Sequence, residues 1–179
     1  MPSAALTEAP DGTTLLAFGD GKGKTRAVLG VRRDGTPALG VRDEDEETRA
    51  SLALEPDGQS GLVLLDTKRK QRVALGTTGG RAGVVLLEAE KVRGTFGLVE
   101  GSPGLSFHDK GEQVRVVLGA GSQDRMALTF VDRKGRSRAA LISEPEDVSS
   151  LLFRTEDCNV VWKAPWLGTL VDESREPSA

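Results

Sequence analysis

The sequence holds one cysteine (Cys158), one histidine (His108) and no tyrosine. A lone Cys excludes a disulfide framework within the chain, and one Cys with one His excludes a Cys/His zinc site. A catalytic dyad of two histidines is excluded by the same count. Aromatic residues are scarce, at five Phe and two Trp. Aromatic platforms for stacking bases or sugars are therefore missing from most of the chain. Charge of one sign is missing too. Lys plus Arg is 24 and Asp plus Glu is 27, so the formal net charge is only -3. That balance gives no field strong enough to favour nucleic acid or an anionic membrane. No apolar run approaches the ~18 residues of a membrane helix. Residues 1–12, MPSAALTEAPDG, have neither the basic nor the apolar segment of a secretory signal. The expectation is a soluble, cytoplasmic protein, with residues 1–12 and 167–179 as flexible tails.

What the chain has in excess is glycine, 22 in 179 residues, against a usual level of about 7%. The glycines recur with a period. An apolar pair two residues apart precedes an acid, then an Arg, then a Leu-Gly or its equivalent, then an Asp-Gly or Gly-Gly. Leu16, Phe18, Asp20, Arg26, Leu29-Gly30 and Asp34-Gly35 form the first copy. The acidic position recurs at Asp20, Asp43, Asp66, Glu88, Asp109 and Asp132, with Thr155 in a seventh, degenerate copy. The steps between them are 23, 23, 22, 21, 23 and 23 residues. Seven copies in register define one repeat domain over residues 13–166.

Each copy contains two alternating apolar pieces of about five residues around a short polar segment such as GKGKT or RKGRS. Period-two alternation around an Asp- and Gly-rich turn marks a β-hairpin. A second Asp-Gly turn then links each hairpin to the next. The fold class is all-β: seven tandem antiparallel hairpins, up to fourteen short strands, in one meander. With a four-residue tip, Leu16 faces Leu29 and Phe18 faces Ala27. One sheet face then carries Leu, Val and Phe through every copy. The other face is mixed, with Ala17, Val28, Val63 and Leu65 beside Arg42, Ser106, His108 and Thr129. That face is expected to be partly covered in the middle copies. A small residue precedes each new copy's first apolar anchor: Ala38, Gly61, Gly83, Gly104, Ala127 and Ser150. Small side chains there point to close packing or a bend. A lone hairpin cannot bury its apolar face, so the units must stack. A ring, a barrel or a solenoid of hairpins fits seven copies. A propeller with four strands per blade is the alternative, and seven hairpins do not divide evenly into such blades.

Six acid–Arg pairs flank the tips: Asp20/Arg26, Asp43/Arg49, Asp66/Arg72, Glu88/Arg93, Asp109/Arg115 and Asp132/Arg138. Each Arg comes with its own acid, so little positive charge is left for a phosphate ladder. These are read as structural positions: Asp accepts turn N–H groups, and Arg pairs with carboxylates of its own or a neighbouring strand. The first and third tips are basic (Lys22 and Lys24; Lys68, Arg69 and Lys70), and the second is acidic, Glu44 to Glu47. Adjacent hairpins lie about 9–10 Å apart at two strand spacings, so weak attraction between these tips is expected. His108 has no nucleophile in a recognisable motif beside it. Cys158 sits in a tip with no visible group to lower its pKa. The Gly-rich GDGKGK and GTTGGRAG lack the spacing or ending of a phosphate loop. DEDEE lacks the Gly and the last Glu of a calcium loop. No catalytic, cofactor-binding or metal-ligating residue is assigned, and no cofactor is expected.

The seventh copy concentrates both tryptophans, Trp162 and Trp166. A terminal repeat is expected to be atypical because it caps the array. The same pair is also the candidate interaction patch, since Trp is enriched at binding hot spots.

The consensus of alternating apolar residues, D-x-x-G-K-x-R, L-G and then D-G resembles a bacterial family of short hairpin-repeat proteins to which no activity is attached. Members often end on an aromatic-Lys/Ser-Ala-Pro close like Trp162-Lys163-Ala164-Pro165. The resemblance covers about residues 13–166. The period of ~23 residues is also similar to that of MORN repeats, which bind membranes or proteins, although the Tyr and regular Gly pattern of that family are missing here. The leading functional expectation is a non-enzymatic scaffold or protein-interaction module, with self-association open and a protein or a second copy as partner. The alternative is a carbohydrate- or small-ligand-binding module.

Overall fold

A computed structural model describes residues 1–8, 10–78, 81–99, 101–121, 125–143 and 149–164. Among them lie fifteen β-strands and no helix. They are β1 (Ser3–Glu8), β2 (Thr14–Gly19), β3 (Thr25–Val31), β4 (Pro37–Arg42), β5 (Thr48–Leu54), β6 (Ser60–Leu65), β7 (Gln71–Thr78), β8 (Arg81–Glu88), β9 (Lys91–Val99), β10 (Ser102–His108), β11 (Val114–Ala120), β12 (Met126–Val131), β13 (Ser137–Ser143), β14 (Ser149–Arg154) and β15 (Val160–Ala164). The chain divides into two compact units, Met1–Glu112 and Gln113–Ala179. In each unit the strand order is the chain order, and every pair described is antiparallel. No described pair closes either sheet on itself: β1 pairs with β2, and β15 with β14. No helix among the described residues is long and apolar enough to cross a membrane.

The hairpins form because both kinds of connection have the same chemistry. At the first tip Gly23 N–H donates to the Asp20 carbonyl (3.1 Å), and Asp20 N–H donates to the Lys24 carbonyl (2.8 Å). At the link after β3, Gly35 N–H donates to Arg32 (2.9 Å) and Arg32 N–H to Thr36 (2.8 Å). Each is a type I turn followed by a left-handed residue, the usual short hairpin loop with a bulge. The bulge recurs at the tip end of the pair, between Phe18 and Gly19, Val41 and Arg42, Leu64 and Leu65, and Phe130 and Val131. Gly23 and Gly135 hold the left-handed position at φ 80° and 78°. Glu46, Arg69, Glu112 and Cys158 hold it in other tips at φ 61–65°. The fourth tip is shorter. Ala89 and Glu90 both have positive φ, 51° and 66°, between the paired Glu88 and Lys91. That two-residue turn explains part of the shortened spacing around Glu88.

The expected register is observed: Leu16 opposes Leu29 and Phe18 opposes Ala27. Expectation and structure differ at the N-terminus. Ser3–Glu8, expected as tail, forms β1 and places Leu6 opposite Leu16. Its link, Pro10-Asp11-Gly12-Thr13, has the composition of the later Asp-Gly links, and Asp11 Oδ1 accepts Thr13 N–H at 2.9 Å. The segment thus takes the place of the second strand of a hairpin, joined to β2 by an Asp-Gly link. Trp166 and residues 167–179 lie outside the described residues.

Candidate interaction surface

In unit 1 one unbroken row of directly opposed side chains runs across ten strands: Leu6, Leu16, Leu29, Leu39, Leu52, Leu62, Leu75, Val84, Phe96 and Leu105. A parallel row two residues away carries Phe18, Ala27, Val41, Ala50, Leu64, Val73, Leu86, Gly94 and Phe107. Opposed residues share a face, so these rows form one apolar surface. It is open to solvent. Apart from Met1, all fourteen exposed large apolar residues of unit 1 lie on this face, among them Leu52 (48% exposed) and Phe96 (60%). Unit 2 repeats the design with Leu118, Leu128, Leu141 and Leu151 in one row and Val116, Phe130, Ala139, Phe153 and Trp162 in the next. Among the described residues only Ala140 and Leu152 are buried apolar side chains. They oppose each other on the other face of unit 2.

The opposite face explains the small residues. Leu15, Gly30, Ala38, Ala53, Gly61, Gly76, Gly83, Gly97 and Gly104 form its row in unit 1. A Cβ on Gly76 would stand 2.5 Å from the Ser60 carbonyl oxygen, and one on Gly83 2.6 Å from that of Phe96. Neighbouring backbones approach too closely there for a side chain. The mixed face expected to be partly covered is therefore half-buried by its own close strands. It also holds a groove of about 740 Å³ lined by Leu15, Val28, Ala38, Arg42 and residues of two links. The Arg42 Nε there has no hydrogen-bond partner.

The acid–Arg positions are staples. Asp Oδ1 accepts two turn N–H groups at the tips of Asp20 (2.8 and 3.0 Å), Asp43 (2.9 and 3.0 Å), Asp66 (2.8 and 2.9 Å) and Asp132 (2.8 and 3.1 Å). Asp109 accepts Gly111 N–H at 2.9 Å. Thr155, the substitute in the seventh copy, accepts Asn159 N–H with its hydroxyl at 3.2 Å. Arg26 pairs with Asp20 (3.8 Å), Arg72 with Asp66 (2.9 Å), Arg93 with Glu88 (2.9 Å) and Arg138 with Asp132 (3.7 Å); Arg49 pairs with Asp43. Four arginines also reach the next hairpin. Arg49 donates to the Asp66 carbonyl, Arg93 to Asp109 (2.5 Å), Arg115 to Val131 (2.9 Å) and Arg138 to Arg154 (3.1 Å). A planar guanidinium presents separate N–H groups in a fixed fork, which suits it to hold both partners at once. The carboxylates respond. The Arg136 guanidinium and the N–H groups of Arg136 and Lys134 hold Asp132 down to about 2, against desolvation. Turn N–H groups and Arg26 similarly lower Asp20.

The tips also contact one another. Glu46 Oε1 accepts Thr25 N–H from the preceding hairpin at 2.9 Å, and Glu112 Oε1 accepts Val92 N–H at 3.1 Å. Ion pairs join Lys24 to Glu46 (4.0 Å), Glu47 to Arg69 (3.1 Å) and Lys70 to Glu90 (2.5 Å). The expected attraction between basic and acidic tips thus has a geometry.

Sequence reasoning missed one thread. His108 Nδ1 lies 3.2 Å from the Glu112 carbonyl, which can only accept, so Nδ1 carries a proton. In the neutral ring Nε2 then accepts from the Ser106 hydroxyl (2.8 Å), which accepts from Thr95 (2.7 Å). The alternation Ser106-Phe107-His108 on one strand was the signal: residues two apart share a face. The Ser–His bond is that of a nucleophile and base, but Ser106 lies in the regular β9–β10 register opposite Thr95. Its neighbouring N–H groups are not arranged as a turn that could hold an oxyanion. Cys158 is exposed in its tip. Trp162 is 48% exposed and tilts against Phe153, ring centres 5.6 Å apart. Among the described residues no cluster of three His, Cys, Asp or Glu side chains could hold a metal ion.

No protein-family model matches the chain, and no curated protein matches it in sequence.

Proposed function

We propose that this chain is a non-enzymatic hairpin-repeat protein that works as a scaffold or protein-interaction module through its apolar face. One observation carries the reading: fourteen large apolar side chains stand exposed on one face of unit 1. An apolar patch of that extent marks an interaction surface in a soluble protein. The staples and glycine rows fit a frame whose task is to present that face. In each unit the strand order follows the chain, with no closing pair among the described residues, which supports an open array over a ring, barrel or propeller. The single exposed thiol fits a reducing compartment such as the cytoplasm.

An apolar fluorescent dye tests the reading. The isolated single chain should bind it, and replacing Leu39 and Leu52 by Ser should weaken binding strongly. A single chain that neither binds the dye nor associates with anything would end the proposal. A carbohydrate-binding module is the second reading, favoured by the half-exposed Trp162 beside Phe153. Glycan-array binding that disappears in Trp162→Ala would support it, and a blank array would remove it.

A further inference from the structure

We propose that the apolar face of unit 1 is covered by the same face of a second copy of this chain, leucine row against leucine row. The inference rests on the interaction reading above and names its partner.

Area comes first. Fourteen half-exposed side chains each offer on the order of 60 Å² of apolar surface or more. Their sum reaches the roughly 800 Å² per partner of a stable interface. Chemistry comes second. In the two leucine and phenylalanine rows no charged side chain interrupts the surface, so a charged or strongly polar partner would lose hydration without gaining a bond. The rim does not suit a lipid surface. Its basic tips at Lys24 and Lys70 are tied to Glu46 and Glu90, and unit 1 has no Trp or Tyr to sit at a membrane interface.

Pitch comes third. The apolar rows rise and fall with the strand spacing of about 4.8 Å. A surface that fills them must repeat at the same pitch, and a second copy does so by construction. Two such faces packed about 10 Å apart make an aligned sandwich whose core is the interdigitated rows. The contact is isologous, so it closes at two chains. A formal net charge of -3 opposes the approach of two copies only weakly.

Sedimentation equilibrium on the full chain tests this, with Leu52→Arg and the milder Leu52→Thr beside the wild type. The wild type should have about twice the single-chain mass of 19.0 kDa. Leu52→Arg should sediment as a single chain with its β-sheet circular dichroism retained. Leu52→Thr, whose β-branched side chain a strand accepts, should weaken the dimer by roughly tenfold or more. A folded single chain in the wild type overturns the proposal. If that single chain floats with phosphatidylcholine–phosphatidylglycerol vesicles, lipid is the occupant: self-pairing is wrong and the interaction reading stands. If it binds neither vesicles nor an apolar dye, both are wrong. A wild-type dimer that persists unchanged in both variants shows pairing elsewhere and also overturns the proposal.

Discussion

Replacing Gly83 by Ala should destabilise the sheet, whereas the same change at Gly61 should not. Both lie in the small-residue row of unit 1. Gly83 is in β8, between Gly76 and Gly97 of the flanking strands. A Cβ there would meet the Phe96 carbonyl oxygen at 2.6 Å and the Gly97 Cα at 3.0 Å. Both atoms are backbone, so β9 must move by some tenths of an ångström and stretch its ladder. Overpacking of this sort costs about 1–3 kcal/mol. Ala also narrows the unfolded ensemble, which returns about 0.4–1 kcal/mol. The net effect is a loss of roughly 1–2 kcal/mol. At Gly61 the nearest atom is the Leu75 carbonyl oxygen at 3.6 Å, an ordinary contact. Only the favourable effect remains there, a gain of about 0.4–1 kcal/mol. With a urea slope of about 1–3 kcal/mol/M for a small protein, the two variants should differ by roughly 1 M in midpoint. Urea denaturation followed by circular dichroism measures this, at one protein concentration so that association does not enter. Equal midpoints for the two variants would refute the claim that close strand approach dictates the glycine row.

Three further outcomes follow from the tips. The Asp132 carboxyl, held at about 2 against an ordinary 3.8, stabilises the fold fully above pH ~4, and that contribution should vanish as pH falls towards 2; carboxyl NMR should show the low midpoint, and Arg136→Gln should raise it. Cys158→Gly should stabilise by about 1 kcal/mol, because Cys158 is exposed and sits at φ 64°, where an L side chain is disfavoured; an unchanged thermal midpoint would count against the assigned turn. Arg93→Lys should cost about 1 kcal/mol in urea denaturation despite keeping the charge, because Glu88 and the Asp109 carbonyl are held by two different nitrogens of the guanidinium fork and Lys offers its donors from one.

The hairpins were legible because each copy repeats its own turn chemistry: the acid that caps the tip and the Asp-Gly of the link recur at one spacing. The register of Leu16 on Leu29 followed from the tip length alone. β1 was less legible because only its link, Pro10 to Thr13, matches the repeat, and Ser3–Glu8 lacks the Arg that marks the strand after a tip. The left-handed tip position was visible where it is Gly23 or Gly135 and hidden where it is Glu46, Arg69, Glu112 or Cys158. Two of those side chains, Glu46 and Glu112, offset the unfavourable backbone with a bond to the preceding hairpin. The apolar rows were legible as a face, but their exposure was not. Alternation says which residues lie together, and only coordinates say whether another layer covers them. Likewise Ser106 and His108 were read separately because their bond depends on the carbonyl of Glu112 orienting the imidazole.

The most direct measurement is the mass of the wild-type chain by light scattering across a dilution series. An apolar face of this size, exposed among the described residues, predicts about twice 19.0 kDa, falling to one chain on dilution. A mass of 19.0 kDa at every concentration, with cooperative unfolding intact, would contradict it.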